Sequence, residues 1–262
     1  MKLRIVRADP AGNITLFVLS GVARSERAAT AAKLMAVPAL GAEQVGFVCP
    51  PREGGDGRFE MMGGEFCGNA VRAFGMLTAR GRGVSGRARV TVETSGCGGA
   101  VAVDVDMAAG TARAEMPLPR FVRAVEDGDI QGTLVHLGGI AHLVVERPPD
   151  AALFGAAEAL LAREKELAGL GAYGLIFLHG GRLTPLVKVV ATDTLVWEGS
   201  CGSGTLAAAL AGSAGTRDGV FARDYVQSAG TIRAEVEKRD GAVLSAHIGG
   251  AVTVGGAQDI EI

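Results

Sequence analysis

Apolar and polar residues alternate in short bursts along most of this chain. The runs "VTVET" (90–94) and "AVAVDVDM" (100–107) repeat at every second position, the period of a strand with one buried face. Runs rich in β-formers recur at "LRIVRA" (3–8), "NITLFVLS" (13–20), "EQVGFVC" (43–49), "RFEMM" (58–62), "ARVTVETSG" (88–96) and "TARAEMPL" (111–118). Two stretches break this pattern with helical spacing. "SERAATAAKLMAV" (25–37) offers Ser25 as an N-cap, and "CGNAVRAFGMLTARG" (67–81) ends in basic residues and glycine, as a helix C-terminus does.

The second half repeats the plan. "GTLVHLGGIAHLVVE" (132–146) reads as one or two strands, and 150–167 as an amphipathic helix. Strands follow at "YGLIFLHG" (173–180) and "LTPLVKVVATD" (183–193), then a helix at "CGSGTLAAALAGSAG" (201–215). "FARDYVQSAG" (221–230), "TIRAEVEKR" (231–239), "AVLSAHIGG" (242–250) and "AVTVGG" (251–256) complete the strands. Each half therefore runs strands, helix, strands, cysteine-initiated helix, strands. This predicts an α+β chain with a duplicated architecture, divided near Pro117 and Pro119 into residues 1–116 and 117–252.

Composition narrows the classes. The 262 residues carry 26 basic and 28 acidic side chains, a balance that favours neither a nucleic-acid nor a membrane-surface partner. No apolar run approaches the roughly 18–20 residues that span a bilayer, and the first residues show no apolar signal core. The reading is a soluble cytoplasmic protein. The 40 glycines mostly end apolar runs, which fits tight turns between short strands.

None of Cys49, Cys67, Cys97 and Cys201 forms a CxxC pair or a zinc-finger spacing with histidine, so no metal site is expected. Cys49 and Cys97 sit in proline and turn contexts and read as structural. Cys67 and Cys201 differ: each precedes glycine at the start of a helix rich in small residues. Backbone N–H groups and the helix dipole at such a position favour a thiolate and cradle an anion such as an α-carboxylate. Two such cysteines flanking one carbon can remove a proton from one face and return one to the other, which inverts a stereocentre without a cofactor. A single cysteine before glycine is usually packing; one in each half is the stronger signal.

"EFCGNAVR" (65–72) and "LVWEGSCGSGTLA" (195–207) resemble the two active-site segments of the diaminopimelate epimerase superfamily of cofactor-independent amino-acid racemases. The resemblance implies two similar pseudo-symmetric domains, each a mostly antiparallel sheet wrapped as a barrel around a central helix. It places the active site in the cleft between them and returns a final strand (253–262) to the first domain. It puts Cys67 and Cys201 at the catalytic positions, with Gly68, Asn69, Gly202, Ser203, Gly204 and Thr205 around the α-carboxylate. Asn13 and Gln44 fall where the family contacts substrate, Glu198 near the α-amino group, and Glu65 and His142 at further motif positions. The partner implied is a small amino acid, with room for a homodimer.

The departures bear on substrate. Gly199 follows Glu198 where diaminopimelate epimerases carry an arginine for the distal head group, and Ile140 and Gly174 replace asparagines. A charged distal end would be left poorly paired. The compact "WEGSCGSGT", "EQVGF" and "GGEFCGNA" segments are more similar to the histidine racemases of staphylopine-type metallophore synthesis. Diaminopimelate epimerase, a proline racemase-like isomerase, a thiol redox switch and an amino-acid-binding protein are the alternatives. Arg72 and Lys33 read as solvated helix faces, Trp197 as packed beneath the second site, and Phe17, Met61 and Met62 as core.

Overall fold

The alternating run around residue 100 becomes a strand whose Val101, Val103 and Val105 are buried while the residues between them are more exposed. This is the pleat expressed as burial. In the computed structural model, which describes residues 1–190 and 193–262, such strands build two units. The first comprises Met1–Glu115 and Gly249–Ile262, the second Met116–Ile248.

The first unit holds β1 (Lys2–Asp9), β2 (Thr15–Val18), α1 (Arg27–Met35), β3 (Gln44–Cys49), β4 (Gly57–Met61), α2 (Gly68–Gly81), β5 (Arg87–Thr94), β6 (Ala100–Asp106) and β7 (Thr111–Glu115). The second holds β8 (Phe121–Asp127), β9 (Ile130–His136), β10 (Ile140–Val145), α3 (Leu153–Arg163), β11 (Ala172–His179), β12 (Arg182–Val189), β13 (Thr194–Trp197), α4 (Gly202–Gly212), β14 (Gly219–Val226) and β15 (Thr231–Arg239). It also holds most of β16 (Ala242–Ala251), while β17 (Thr253–Glu261) lies in the first unit and pairs antiparallel with β1.

Both units use one succession of pairings. In the first, β1 and β2 are antiparallel, β2 and β3 parallel, β3 and β4 antiparallel, and β4 and β5 parallel. Parallel neighbours need a crossover, and α1 and α2 supply the two. In the second, β9 and β10 are antiparallel, β10 and β11 parallel through α3, β11 and β12 antiparallel, and β12 and β14 parallel through α4. Antiparallel partners follow in each, β6 on β5 and β15 on β14.

The second crossover helix of each unit is the buried one. From Gly68 to Met76 every residue of α2 is buried, against β5, β6 and β7. Phe74 meets Phe59 and Phe17 at ring-centroid distances of 4.8 and 5.2 Å. In α4 the run Gly204–Leu210 is buried against β9, β10, β11, β14 and β15. Helices apolar all round belong inside, and each fully buried Leu, Val or Phe contributes about 1.5–3 kcal/mol.

Several expectations need correction. Ser25 caps nothing: it lies in a 3-10 turn (Arg24–Glu26), and α1 starts after it without a side-chain cap. The helix expected over 150–167 is limited to Leu153–Arg163, with a separate 3-10 turn at Lys165–Leu167. Strands β8 and β13 were not anticipated. Of the strand expected over 183–193, residues 191 and 192 lie outside the described residues. Trp197 is not buried as expected: it is 44 % exposed, with its ring tilted against the buried Phe177. Among the described residues no helix is long and apolar enough to cross a membrane.

Candidate active site

Cys67 and Cys201 occupy the same local geometry. Each is the N-cap of its unit's buried helix, with φ/ψ of −132°/109° and −128°/112°. Each sulfur accepts from the amide three residues on: Ala70 N at 3.5 Å from Cys67, and Gly204 N at 3.3 Å from Cys201. A side-chain acceptor at the N-cap satisfies one of the helix's free N–H groups. Gly204 gives room there, since a Cβ would stand 3.2 Å from the Cys201 sulfur and 2.6 Å from Ile176 Cδ1, whereas the first helix carries Ala70 at the same place. The segment before each cysteine is tied in the same way too. Ser95 Oγ donates to the Glu65 carbonyl (2.9 Å), and Ser228 Oγ to the Gly199 carbonyl (3.1 Å), each carbonyl two residues ahead of the cysteine.

Around Cys67 the predicted residues form one cluster. Asn13 Oδ1 is 4.0 Å from the sulfur and accepts from Gln44 Nε2 (2.7 Å) and Asn69 Nδ2 (3.4 Å). Asn13 Nδ2 donates to Glu43 (2.7 Å), and Gln44 Nε2 also reaches Thr15 Oγ1 (2.7 Å). Glu65 is exposed as a residue, while partial desolvation of its carboxyl raises its pKa. Gly68 and Asn69 begin the helix and are buried.

Around Cys201 the cluster differs. Ser203 Oγ lies 3.5 Å from the sulfur and 2.8 Å from Nε2 of His142 on β10. Gly174 makes room for that imidazole: a Cβ there would fall 2.1 Å from His142 Nδ1. Burial holds the His142 pKa down at about 3, so the ring is neutral. Thr205 Oγ1 donates to the Cys201 carbonyl (2.6 Å) and so is engaged within the protein. Gly202 is buried, and Glu198 lies just after β13 with its carboxylate acting on the Cys201 sulfur.

Gln227, absent from the sequence-based site, closes this network. It is buried, accepts from Cys201 N (2.8 Å) through Oε1, and donates to Thr205 Oγ1 (2.9 Å) through Nε2. Its signal was faint: the "QSAG" that ends one strand parallels "TSG" at 94–96, but a glutamine acting across the fold has no local pattern.

Helix N-termini were expected to bring the thiols down. The Ala70 amide and Gln44 do lower the Cys67 pKa, and the Gly204 amide and Ser203 lower that of Cys201. Burial outweighs them, so both thiols are raised, Cys201 well above the usual range with Glu198 adding to the rise. Two thiols, each accepting from an amide of its helix's first turn, are groups that can exchange protons with an acidic carbon.

Residues 2–258 match the model of the family described as histidine racemase CntK N-terminal domain. The chain belongs to this family. A histidine racemase of Fusobacterium nucleatum subsp. nucleatum is 31% identical over 214 residues, 78% of each chain. The histidine racemase of Staphylococcus aureus (strain Mu50) is 26% identical over 208 residues, 75% of each. Among solved structures, a predicted epimerase from Pseudomonas aeruginosa superposes with TM-score 0.68 at 16% identity, covering 98% of this chain and 99% of that one. A hydroxyproline epimerase from Agrobacterium vitis gives 0.67 at 12%, covering 99% and 92%. The family member is thus an isomerase of the amino-acid racemase and epimerase class, with the α+β fold of those structures.

Proposed function

We propose that this chain is a cofactor-independent histidine racemase in which Cys67 and Cys201 pass a proton across Cα. The observation that carries the reading is the duplicated cysteine N-cap: two sulfurs in one backbone geometry, each facing the first amides of a buried helix. One thiolate takes the Cα proton, so a C–H bond breaks and an S–H bond forms. The other thiol gives its proton to the opposite face and is left as the thiolate. Charge that develops on the substrate carboxylate is held by N–H groups at the helix starts, with Gly68, Asn69, Gly202, Ser203 and Gly204 lining it. Asn13 and Gln44 contact substrate, Glu198 takes the ammonium group, and His142 holds Ser203 beside the Cys201 sulfur. Glu65 stands two residues ahead of Cys67, where its charge disfavours the resting thiolate.

The chemistry requires each sulfur to come within about 3–3.5 Å of the same carbon. In this reading each unit is an epimerase-like domain, its sheet wrapped as a barrel around α2 or α4. The relatives named histidine racemase support histidine as substrate, and Gly199, in place of an arginine after Glu198, disfavours a second amino-acid head group. The D-amino acid would feed metallophore assembly.

The test is solvent deuterium uptake at Cα of L-histidine with enantiomers separated, alongside diaminopimelate and proline. Exchange and inversion with histidine, lost in both Cys67→Ser and Cys201→Ser, are expected. Exchange with diaminopimelate alone would overturn the substrate, and full turnover in either variant would overturn the two-base chemistry.

A further inference from the structure

Arg72 was expected on a solvated helix face and is instead fully buried, at 0 % exposure. Long side chains on a helix lean back toward its N-terminus, and Arg72, in α2, does so. Its Nη2 donates to Asn69 Oδ1 (2.8 Å) and reaches the Pro10 carbonyl (3.4 Å). Its Nε and Nη1 have no hydrogen-bond partner among the described residues. No carboxylate pairs with it there. A buried cation without a counter-ion costs several kcal/mol, so something must offset it.

Packing does not require the charge. Five residues after Cys201, the place held by Arg72 after Cys67, stands Leu206, equally buried in a helix with the same start. The halves also differ ahead of the cysteine: Glu198 stands three residues before Cys201, and Gly64 three before Cys67. A carboxylate acts on each sulfur, Glu65 on Cys67 and Glu198 on Cys201, but among the described residues only Cys67 has a cation behind it.

We propose that Arg72 is the buried counter-ion of the Cys67 thiolate and a positioning residue for it, orienting Asn69 toward Asn13 and the sulfur. Asn69 can offer Nδ2 to Asn13 because its Oδ1 is fixed by the guanidinium. When Cys67 ionises, the charge missing behind the helix is supplied. Burial lowers the Arg72 pKa to about 10, and the charge of Cys67 raises it. The other charged groups facing this cluster are Glu65, which disfavours the thiolate, and Glu43, held by Asn13. Of the two singly ionised forms of the pair, the one with the anion on Cys67 is therefore favoured.

This rests on Cys67 being one of the two acid–base groups, but its test needs no substrate. Peptide-resolved iodoacetamide labelling across pH gives an ionisation midpoint for each cysteine. Arg72→Met, which fills the space without charge, is expected to raise the Cys67 midpoint by about one unit, a tenfold loss of thiolate at fixed pH, and to leave Cys201 unmoved or lowered. Arg72→Lys should restore part of the shift. An unmoved Cys67 midpoint in folded Arg72→Met overturns the proposal. Should that variant not fold, side-chain ¹⁵N resonances of Arg72 in the unaltered chain decide. They are expected to move with the Cys67 midpoint and to stay fixed in Cys67→Ser; resonances that ignore Cys67 ionisation overturn the proposal. A chain that racemises no amino acid yet shows the coupling would sink the functional reading and leave Arg72 in its role.

Discussion

Acid titration of His142 gives a direct check on the geometry of the second unit. Its ring is fully buried, with Nε2 2.8 Å from Ser203 Oγ, and desolvation holds its pKa at about 3 against an ordinary 6.5. Unfolding returns the ring to water, so below pH 6.5 the unfolded chain binds a proton that the folded chain refuses. The folded pKa is the depressed one. The stabilisation is therefore fully present above pH 6.5 and is lost as pH falls from 6.5 toward 3. Each unit costs about 1.4 kcal/mol, or about 2–3 kcal/mol between pH 6.5 and 4.5. Carboxylates lowered by arginine hydrogen bonds, such as Asp104 with Arg89 and Asp106 with Arg87, also lose stability in acid. The His142 share must be isolated by difference. His142→Gln keeps an N–H donor for Ser203 and does not titrate. In urea unfolding, the stability gap between the unaltered chain and this variant should narrow by about 2–3 kcal/mol across that window, with unchanged denaturant slope. A gap independent of pH, or an NMR titration of the His142 ring near 6.5, would refute the reasoning.

Two further outcomes follow from the second cysteine's network. Gln227→Met strands the buried Cys201 amide and removes a donor to Thr205, so it should cost about 2–4 kcal/mol in urea unfolding and lower kcat more than it changes KM. A loss under about 0.5 kcal/mol would contradict the network. Glu198→Gln should lower the Cys201 midpoint in pH-dependent alkylation, because after burial the Glu198 charge is the largest cause raising that thiol. A midpoint that holds or rises would place the carboxylate elsewhere.

What the sequence disclosed follows from where physics is local. Cys67 and Cys201 were legible because a cap, a glycine and a run of small residues lie within a few positions of each other. Strand β8 was not, because its alternation runs against its chemistry. Arg123 falls on the half-buried side, where it pairs with Glu164, and Val122 on the exposed side. Strand β13 is exposed throughout and carries no buried period. Gln227 reaches Cys201 across 26 residues, a distance that no window spans.

Arg72 is the instructive miss. Its charge invited a solvated face, yet "GNAVRAFGM" around it offers no polar face to present, and a helix apolar all round is a buried helix. The arginine is the one charged residue of the segment, and it sits one turn from the only other buried polar side chain there, Asn69. The stretch "GSGTLAAALAG" contains no charged residue, so of the two helices only the first buries a charge. Backbone geometry, sulfur acceptors and serine ties are common to both halves; charge is not. A racemase must run in both directions, but nothing in that requirement makes its two bases equal. The repeated parts shape two places where a thiol can act. In the two-base chemistry proposed above, the unrepeated ones, Arg72 behind Cys67 and Glu198 beside Cys201, would bias where the single negative charge rests between turnovers.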